Sequence, residues 1–156
     1  MRGKPAPKRK IKLDSRYGSD LVTKFINYIM QSGKKTVARK IFADTMEEIK
    51  KKGSKDPEQV FERAIDNVKP SMEVRPKRIG GGIYQIPIEV KTGRQLMLAF
   101  RWILGAARDK KGSKMAVKLS QELLDAANQT GTAMKKKEDT HKMAAANKAF
   151  AHYARY

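Results

Sequence analysis

Residues 72–90 read MEVRPKRIGGGIYQIPIEV and carry the clearest β-strand pattern in the chain. Apolar or large residues recur at every second position on both sides of the glycines at 80–82. This period predicts two strands, and the glycines predict a hairpin turn because glycine adopts positive φ angles without steric cost. Pro76 and Pro87 lack the amide that a central strand donates, so neither strand fits inside a wide sheet. The stretch therefore predicts a lone β-hairpin.

The outer part of this hairpin is basic, with Arg75, Lys77 and Arg78 close to the glycines. Only its base is apolar enough to be anchored on the rest of the protein. An isolated two-stranded hairpin is marginally stable in water. We therefore expect a protruding arm that grips an anionic partner.

The composition indicates which partner this is. The 156 residues include 35 Lys plus Arg against 16 Asp plus Glu, a formal net charge of +19. Self-repulsion of this size favours a protein that binds a polyanion. A nucleic acid is the first candidate and an anionic membrane surface is the alternative. No apolar run of about 18 residues indicates a transmembrane helix, and the basic N-terminus lacks the apolar core of a signal peptide. The chain has no cysteine, which excludes disulfides and cysteine-ligated zinc.

Helical spacing of apolar residues predicts six helices around the hairpin. Their expected ranges are 19–32, 35–52, 56–69, 93–108, 114–128 and 133–150. Ser19, Asp56 and Ser113 are the expected N-caps, and Gly33 is the expected stop of the first helix. The predicted fold is mainly α: a bundle-like domain of about six helices, residues 13–156, with one protruding β-hairpin between helices three and four. The fourth helix is the most apolar, so we expect it to be central.

Residues 1–12 contain two prolines, few apolar residues and dense positive charge, which predicts an extended basic N-terminal arm. An arm that binds phosphates is favoured over a merely solvated tail. The candidate phosphate-binding side chains are Arg2, Lys4, Lys8, Arg9 and Lys10.

Lys34 and Lys35 lie at the predicted start of the second helix. Positive side chains are unfavourable there because the helix dipole is already positive at that end. Together with free backbone amides they would form a phosphate site. The alternative is a pair of solvated lysines.

Arg94, Arg101 and Arg108 are spaced by seven residues, so they form one stripe along the fourth helix. We favour phosphates over internal salt bridges as their partners, because few acidic residues are near in sequence. The loop that follows adds Lys110, Lys111 and Lys114 to the same expected surface.

The last segment, 133–150, has only a thin apolar seam, so we expect it to lie along a partner or an RNA. The tail that follows combines aromatic residues with Arg155, which suits stacking on bases. Equally, Tyr153 could pack back on the protein body. His141 and His152 are expected to be surface histidines, since neither has a nearby ligand or triad partner. We expect no cofactor and no catalysis. A DNA-binding protein that uses the first three helices is the remaining alternative.

Residues 19–45 read SDLVTKFINYIMQSGKKTVARKIFADT. This stretch resembles the signature of the small-ribosomal-subunit protein seven family, through Phe25-Ile26, Gly33-Lys34-Lys35, Ile41-Phe42 and Thr45. Further matches to the bacterial form run in order along nearly the whole chain: AIDNVKP at 64–70, EVR at 73–75, YQIP at 84–87, RWI at 101–103 and AAANK at 144–148.

The resemblance implies a protein that binds small-subunit ribosomal RNA (rRNA) in its 3′ major domain and nucleates assembly of the subunit head. It also implies a cytoplasmic location in the ribosome, beside exit-site tRNA, mRNA and small-subunit protein eleven. The rRNA-binding residues would be those of the basic N-terminal arm, the arginine stripe of the fourth helix and the lysine loop after it, together with Lys34, Lys35, Arg75, Lys77 and Arg78. The exit-site residues would be Gly80, Gly81, Gly82, Tyr84, Lys148, Tyr153 and Arg155.

Overall fold

The computed structural model describes Gly3, Pro7 and residues 12–155, which form six α-helices, one β-hairpin and a C-terminal 3₁₀ helix. The elements in order are α1 (Asp20–Ile29), α2 (Lys35–Lys51), α3 (Pro57–Val68), β1 (Met72–Ile79), β2 (Gly82–Glu89), α4 (Thr92–Asp109), α5 (Met115–Ala127), α6 (Gly131–Ala146) and the 3₁₀ helix (Lys148–Arg155). The mainly α fold, with its hairpin between the third and fourth helices, is confirmed.

Four phenylalanines join the first four helices at the centre of the core. Phe25, Phe42, Phe61 and Phe100 are each at most 1% exposed. The ring centroid of Phe25 lies 5.0 Å from that of Phe61 and 5.1 Å from that of Phe100, in edge-to-face arrangements. Such pairs add roughly 0.5–1.5 kcal/mol each beyond the burial of their area. α4 packs against α1, α3, α5 and α6, so the predicted central helix is confirmed.

Several predicted helix ends are wrong by a few residues. α1 ends at Ile29, three residues early, because Met30 is already extended. Ser19 occupies the N-cap of α1, but its side chain makes no capping hydrogen bond. Asp56 does cap α3, accepting the amides of Glu58 and Gln59. At α5 the N-cap is Lys114 rather than the predicted Ser113.

The hairpin turn uses only two of the three glycines. Gly80 and Gly81 have φ angles of 54° and 91°, and Ile79 pairs with Gly82 across them. This is a two-residue loop with positive φ at both positions, which matches the right-handed twist of the strands. Gly82 is instead a strand residue, and a Cβ there would lie 3.1 Å from the Tyr84 ring. Its role is to make room for that ring.

The strand register places charged and aromatic residues on one face of the hairpin. Arg75 is paired with Ile86 and Lys77 with Tyr84, so the side chains of these pairs lie on the same face. α6 contacts both strands, and the 3₁₀ helix packs along β2. The expectation that only the base of the hairpin is anchored is therefore wrong, because the C-terminal elements support it as far as Tyr84.

Candidate nucleic-acid interface

A buried carboxylate fixes the base of the hairpin to α4. Glu73 is 6% exposed and accepts from Arg94 Nε at 2.9 Å (Oε1) and 2.8 Å (Oε2). Arg75 Nη2 lies 2.6 Å from the same carboxylate. An internal salt bridge, the less favoured alternative for the arginine stripe, is thus what Arg94 makes. Its partner could not be found from neighbouring residues because Glu73 lies on another element.

The other two stripe arginines differ from each other. Arg108 Nη2 donates to the carbonyl oxygens of Tyr28 and Ile29, at 3.4 and 3.3 Å. These carbonyls lie at the end of α1, where a helix has acceptors without partners and a negative partial charge. Arg101 is exposed and has no ionic or hydrogen-bond partner among the described residues. The stripe therefore presents one free guanidinium rather than three.

The loop after α4 also divides into structural and free lysines. Lys110 Nζ lies 2.7 Å from Glu122 Oε2, and the Glu122 side chain is fully buried. Oε1 of Glu122 accepts the amide of Ala133 at 2.9 Å, at the start of α6. Lys111 and Lys114 are exposed. Lys110, predicted to be a surface cation, is therefore a link between α4, α5 and α6.

The start of α2 offers fewer free amides than the sequence predicted. Lys34 N–H donates to the carbonyl of Gln31, and Lys35 N–H donates to that of Gly33. The amides of Thr36 and Val37 have no acceptor within the described part of the chain. Lys34 is exposed and Lys35 half-exposed. Two amides and two ammonium groups still suit an anion at this helix end.

The C-terminal aromatics pack on the hairpin. The ring centroid of Tyr84 lies 5.2 Å from that of Phe150 and 6.3 Å from that of Tyr153. Lys77 Nζ donates to the Tyr153 carbonyl at 3.2 Å. The alternative in which Tyr153 packs back on the body is therefore the observed one. α6 likewise contacts the hairpin, α4 and α5; the expectation that it also lies along a partner or an RNA stays a prediction.

His141 is not the surface histidine that the sequence indicated. It is half-buried, and its Nε2 accepts the amide of Ser71 at 3.1 Å, beside the base of the hairpin. Burial, and then the nearby Lys137 ammonium, lower the pKa of His141 below its ordinary value of 6.5. The neutral imidazole is therefore the form that holds α6 to the hairpin.

The remaining predicted site residues fall into two groups. Arg78 and Lys148 are exposed, as a binding role requires. The other group lies outside the described residues and comprises Arg2, Lys4, Lys8, Arg9, Lys10 and the side chain of Arg155.

Three adjoining grooves along α2 and α3 carry charges of both signs. Seven carboxylates line them: Asp14, Asp44, Glu47, Asp56, Glu58, Glu62 and Asp66. Six cations line the same grooves: Arg16, Arg39, Lys40, Lys50, Lys55 and Arg63. Because the opposite charges nearly balance, these grooves attract a polyanion less than an uncompensated cluster of cations does.

No described helix is long and apolar enough to span a bilayer. The part of the chain that the structure describes also contains no cluster of three or more His, Cys, Asp or Glu residues suited to a metal.

Comparison with known proteins gives matches over nearly the full length. The family model described as "Ribosomal protein S7p/S5e" matches residues 1–148. The protein named small ribosomal subunit protein uS7 from Thermotoga neapolitana is 56% identical over 153 residues, 98% of this chain and 99% of that protein. The proteins of the same name from Treponema denticola and Alkalilimnicola ehrlichii are 51% and 49% identical over 152 residues, 97% of each chain.

Proposed function

This chain belongs to the ribosomal protein S7p/S5e family, and from that membership we propose that it organises the RNA of the small-subunit head. The family is structural rather than enzymatic, and membership implies direct binding to small-subunit rRNA in the ribosome. The finer proposal is that the chain binds the 3′ major domain and nucleates its assembly.

The observation that supports this proposal is the spread of unpaired positive charge over several parts of the fold. Among the predicted rRNA-binding residues, the exposed cations without an ionic partner in the described part of the chain lie at the start of α2, in β1, in α4 and in the loop before α5. They are Lys34, Arg78, Arg101, Lys111 and Lys114. Cations on several rigid elements can neutralise phosphates of several RNA helices at once. Without such cations, repulsion between the phosphates of neighbouring RNA helices would keep a multihelix junction open.

Recognition by these residues is expected to follow backbone shape. The major groove of an RNA helix is too narrow for side chains to read, so phosphates and the minor groove are what an α-helical surface can contact. The affinity should therefore depend steeply on salt. Tighter binding to the correct RNA should come from junction geometry rather than from contacts to base edges of paired nucleotides.

Binding to a 3′ major-domain fragment, compared with a scrambled RNA of equal length over a salt series, tests this proposal. Replacing Lys34 and Lys35 with glutamine should reduce the slope of log K against log salt by about 1.4–1.8, since each phosphate contact contributes about 0.7–0.9. The matched control replaces Lys50 and Lys51, two consecutive lysines in the last turn of α2, at the opposite end of the helix from Lys34 and Lys35. Equal affinity for both RNAs would overturn the proposal. Equal slopes for the two variants would remove Lys34 and Lys35 from the interface.

The hairpin tip and the C-terminal segment are proposed to face exit-site tRNA and mRNA, with small-subunit protein eleven as a neighbour. Gly80 and Gly81 at the tip are exposed, so a partner could reach them. Their lack of side chains permits close approach of a nucleic-acid backbone.

The strand register dictates how this second part is tested. Simple deletion of residues 79–83 would join Arg78 directly to Tyr84. A two-residue turn at this junction would place Lys77 opposite Gln85 instead of Tyr84, and this shift of one residue would change the face of every later side chain. Replacing residues 79–82 with Asn-Gly keeps Arg78 opposite Ile83 and Lys77 opposite Tyr84, and it supplies a two-residue turn. This variant should assemble into subunits normally but bind exit-site tRNA more weakly. Normal tRNA binding, or failed head assembly, would contradict the division of roles.

A further inference from the structure

A groove of about 310 Å³ lies between α1 and α4, next to the free Arg101. It is lined by Lys24, Tyr28, Gly93, Leu96, Met97 and Phe100. Most of this lining is apolar, with one ammonium and one phenol as its polar groups. The phosphate contacts proposed above do not use it.

The aromatic wall of the groove is held rigidly from inside the core. Phe100 is 1% exposed, and its ring centroid lies 5.4 Å from that of Tyr28, with 65° between the planes. Phe100 in turn packs against Phe25. Tyr28 itself is only partly buried. A half-exposed aromatic ring with a fixed orientation is a preformed platform for another flat ring.

Gly93 keeps one end of the groove open. A Cβ at this position would meet no atom within 4 Å, and the backbone there does not require glycine because its φ is not positive. The residue lies in the first turn of α4, where most other residues would favour the helix more. The fold therefore has no need of glycine at 93, and the absence of a side chain there leaves this end of the groove open.

Positive charge at the rim identifies the occupant. Arg101 lies one helical turn beyond Met97, so the two residues are neighbours on the surface of α4. Lys24 lines the α1 side, where its Nζ lies 2.6 Å from Asp20 Oδ2. An apolar slot with a free guanidinium beside it complements a flat base attached to a phosphate. An apolar protein side chain would leave that guanidinium unused.

We propose that this groove receives one unstacked nucleobase of the bound RNA. The base lies against Tyr28 and Met97, and Arg101 binds the phosphate of the same nucleotide or its neighbour. Single-stranded RNA is commonly recognised in this way, by bases that leave the stack and rest on aromatic side chains. The inference rests on the proposed RNA-binding function and adds to it a contact that is not ionic.

Filling the groove without disturbing the fold tests the inference. Gly93→Leu places a side chain where the structure has open space. Gly105→Leu is the matched control, because Gly105 is in the same helix, a Cβ there would also meet nothing within 4 Å, and it does not line the groove. Gly93→Leu should bind the 3′ major-domain RNA at least about fivefold more weakly than the control, the lower limit for loss of one stacked base. The slope of log K against log salt should fall by at most about 0.7–0.9, the share of the one phosphate that Arg101 binds beside the base.

Chemical probing of the RNA supplies the second measurement. One single-stranded base should be protected in complexes with wild-type protein and Gly105→Leu, and reactive in the complex with Gly93→Leu. Equal affinities of the two variants, or weaker binding without a change at any single base, would overturn the inference. Failure of the wild-type protein to prefer the 3′ major-domain RNA would instead overturn the proposed function, so the two failures are distinguishable.

Discussion

Replacing Lys110 with glutamine should destabilise the fold, whereas the same change at Lys111 should not. Lys110 Nζ lies 2.7 Å from Oε2 of the fully buried Glu122, while the neighbouring Lys111 is exposed. Removing one partner leaves the other charge buried without compensation. The two substitutions remove the same charge from adjacent positions, so they separate a structural lysine from a surface one.

The expected magnitude follows from the burial of the pair. Breaking a buried ion pair costs about 3–5 kcal/mol. The Lys110 side chain is 33% exposed, so water partly replaces it and we expect the lower end, about 3 kcal/mol. For a chain of this length, that corresponds to a decrease of about 6–12 °C in Tm. Lys111→Gln should stay within about 0.5 kcal/mol of wild type.

Urea unfolding followed by circular dichroism measures the stability of both variants. A double-mutant cycle with Glu122→Gln isolates the pair, since glutamine retains an oxygen that can accept the Ala133 amide. We expect a coupling energy of about 1–3 kcal/mol. Equal urea midpoints for Lys110→Gln and Lys111→Gln would refute the reasoning, and so would a coupling energy near zero. RNA binding should respond in the opposite way: only Lys111→Gln should reduce the slope of log K against log salt, by about 0.7–0.9.

Three further predictions concern how the hairpin and helices are held together. Tyr84→Ala should destabilise the outer hairpin by about 1 kcal/mol, measured as faster hydrogen exchange of its strand amides. Tyr84→Phe should behave as wild type because it keeps the ring that packs on Phe150, so equal exchange rates in both variants would argue against the aromatic contact. The pKa of His141 is lowered in the folded protein, so the contribution of His141 to stability is complete above about pH 6.5 and is lost as the pH falls below that value, because the unfolded chain takes up the proton first. His141→Gln should flatten the curve of unfolding free energy against pH below about pH 6.5, and an unchanged curve would exclude His141 as the source of this pH dependence. Asn67→Ala should lower the free energy of urea unfolding by about 2 kcal/mol, because the Asn67 carboxamide donates to the carbonyls of Ala126 and Ala127 at 3.0 and 3.1 Å. An unchanged unfolding free energy would show that water replaces these hydrogen bonds.

Much of the architecture was predictable from local sequence. The period of the apolar residues gave the six helices and the hairpin, because periodicity records which side chains turn away from water. Asp56 and Pro57 predicted the start of α3 correctly, since capping and proline preference depend on neighbouring residues alone. Ser19 and Ser113 show the limit of this approach: Ser19 occupies the N-cap of α1 without making the capping bond, and Ser113 lies one residue before the N-cap of α5.

The candidate interface was less predictable than the fold. The arginine stripe and the basic loop were identified as cationic, but Arg94, Arg108 and Lys110 turned out to have partners inside the molecule. Arg94 contacts a carboxylate 21 residues away on the hairpin. Arg108 contacts carbonyls about 80 residues away on α1. Such pairings cannot be inferred from neighbouring residues.

The sequence by itself determined the elements of the fold and indicated a polyanionic partner. A net charge of +19 and the spacing of apolar residues depend only on residue types and their order. Only the tertiary structure decided which cations are available to RNA, and that the C-terminal aromatics support the hairpin. The reason is physical: a side chain carries its charge wherever it lies, but whether that charge is free depends on which carboxylate or carbonyl the fold brings within hydrogen-bond distance.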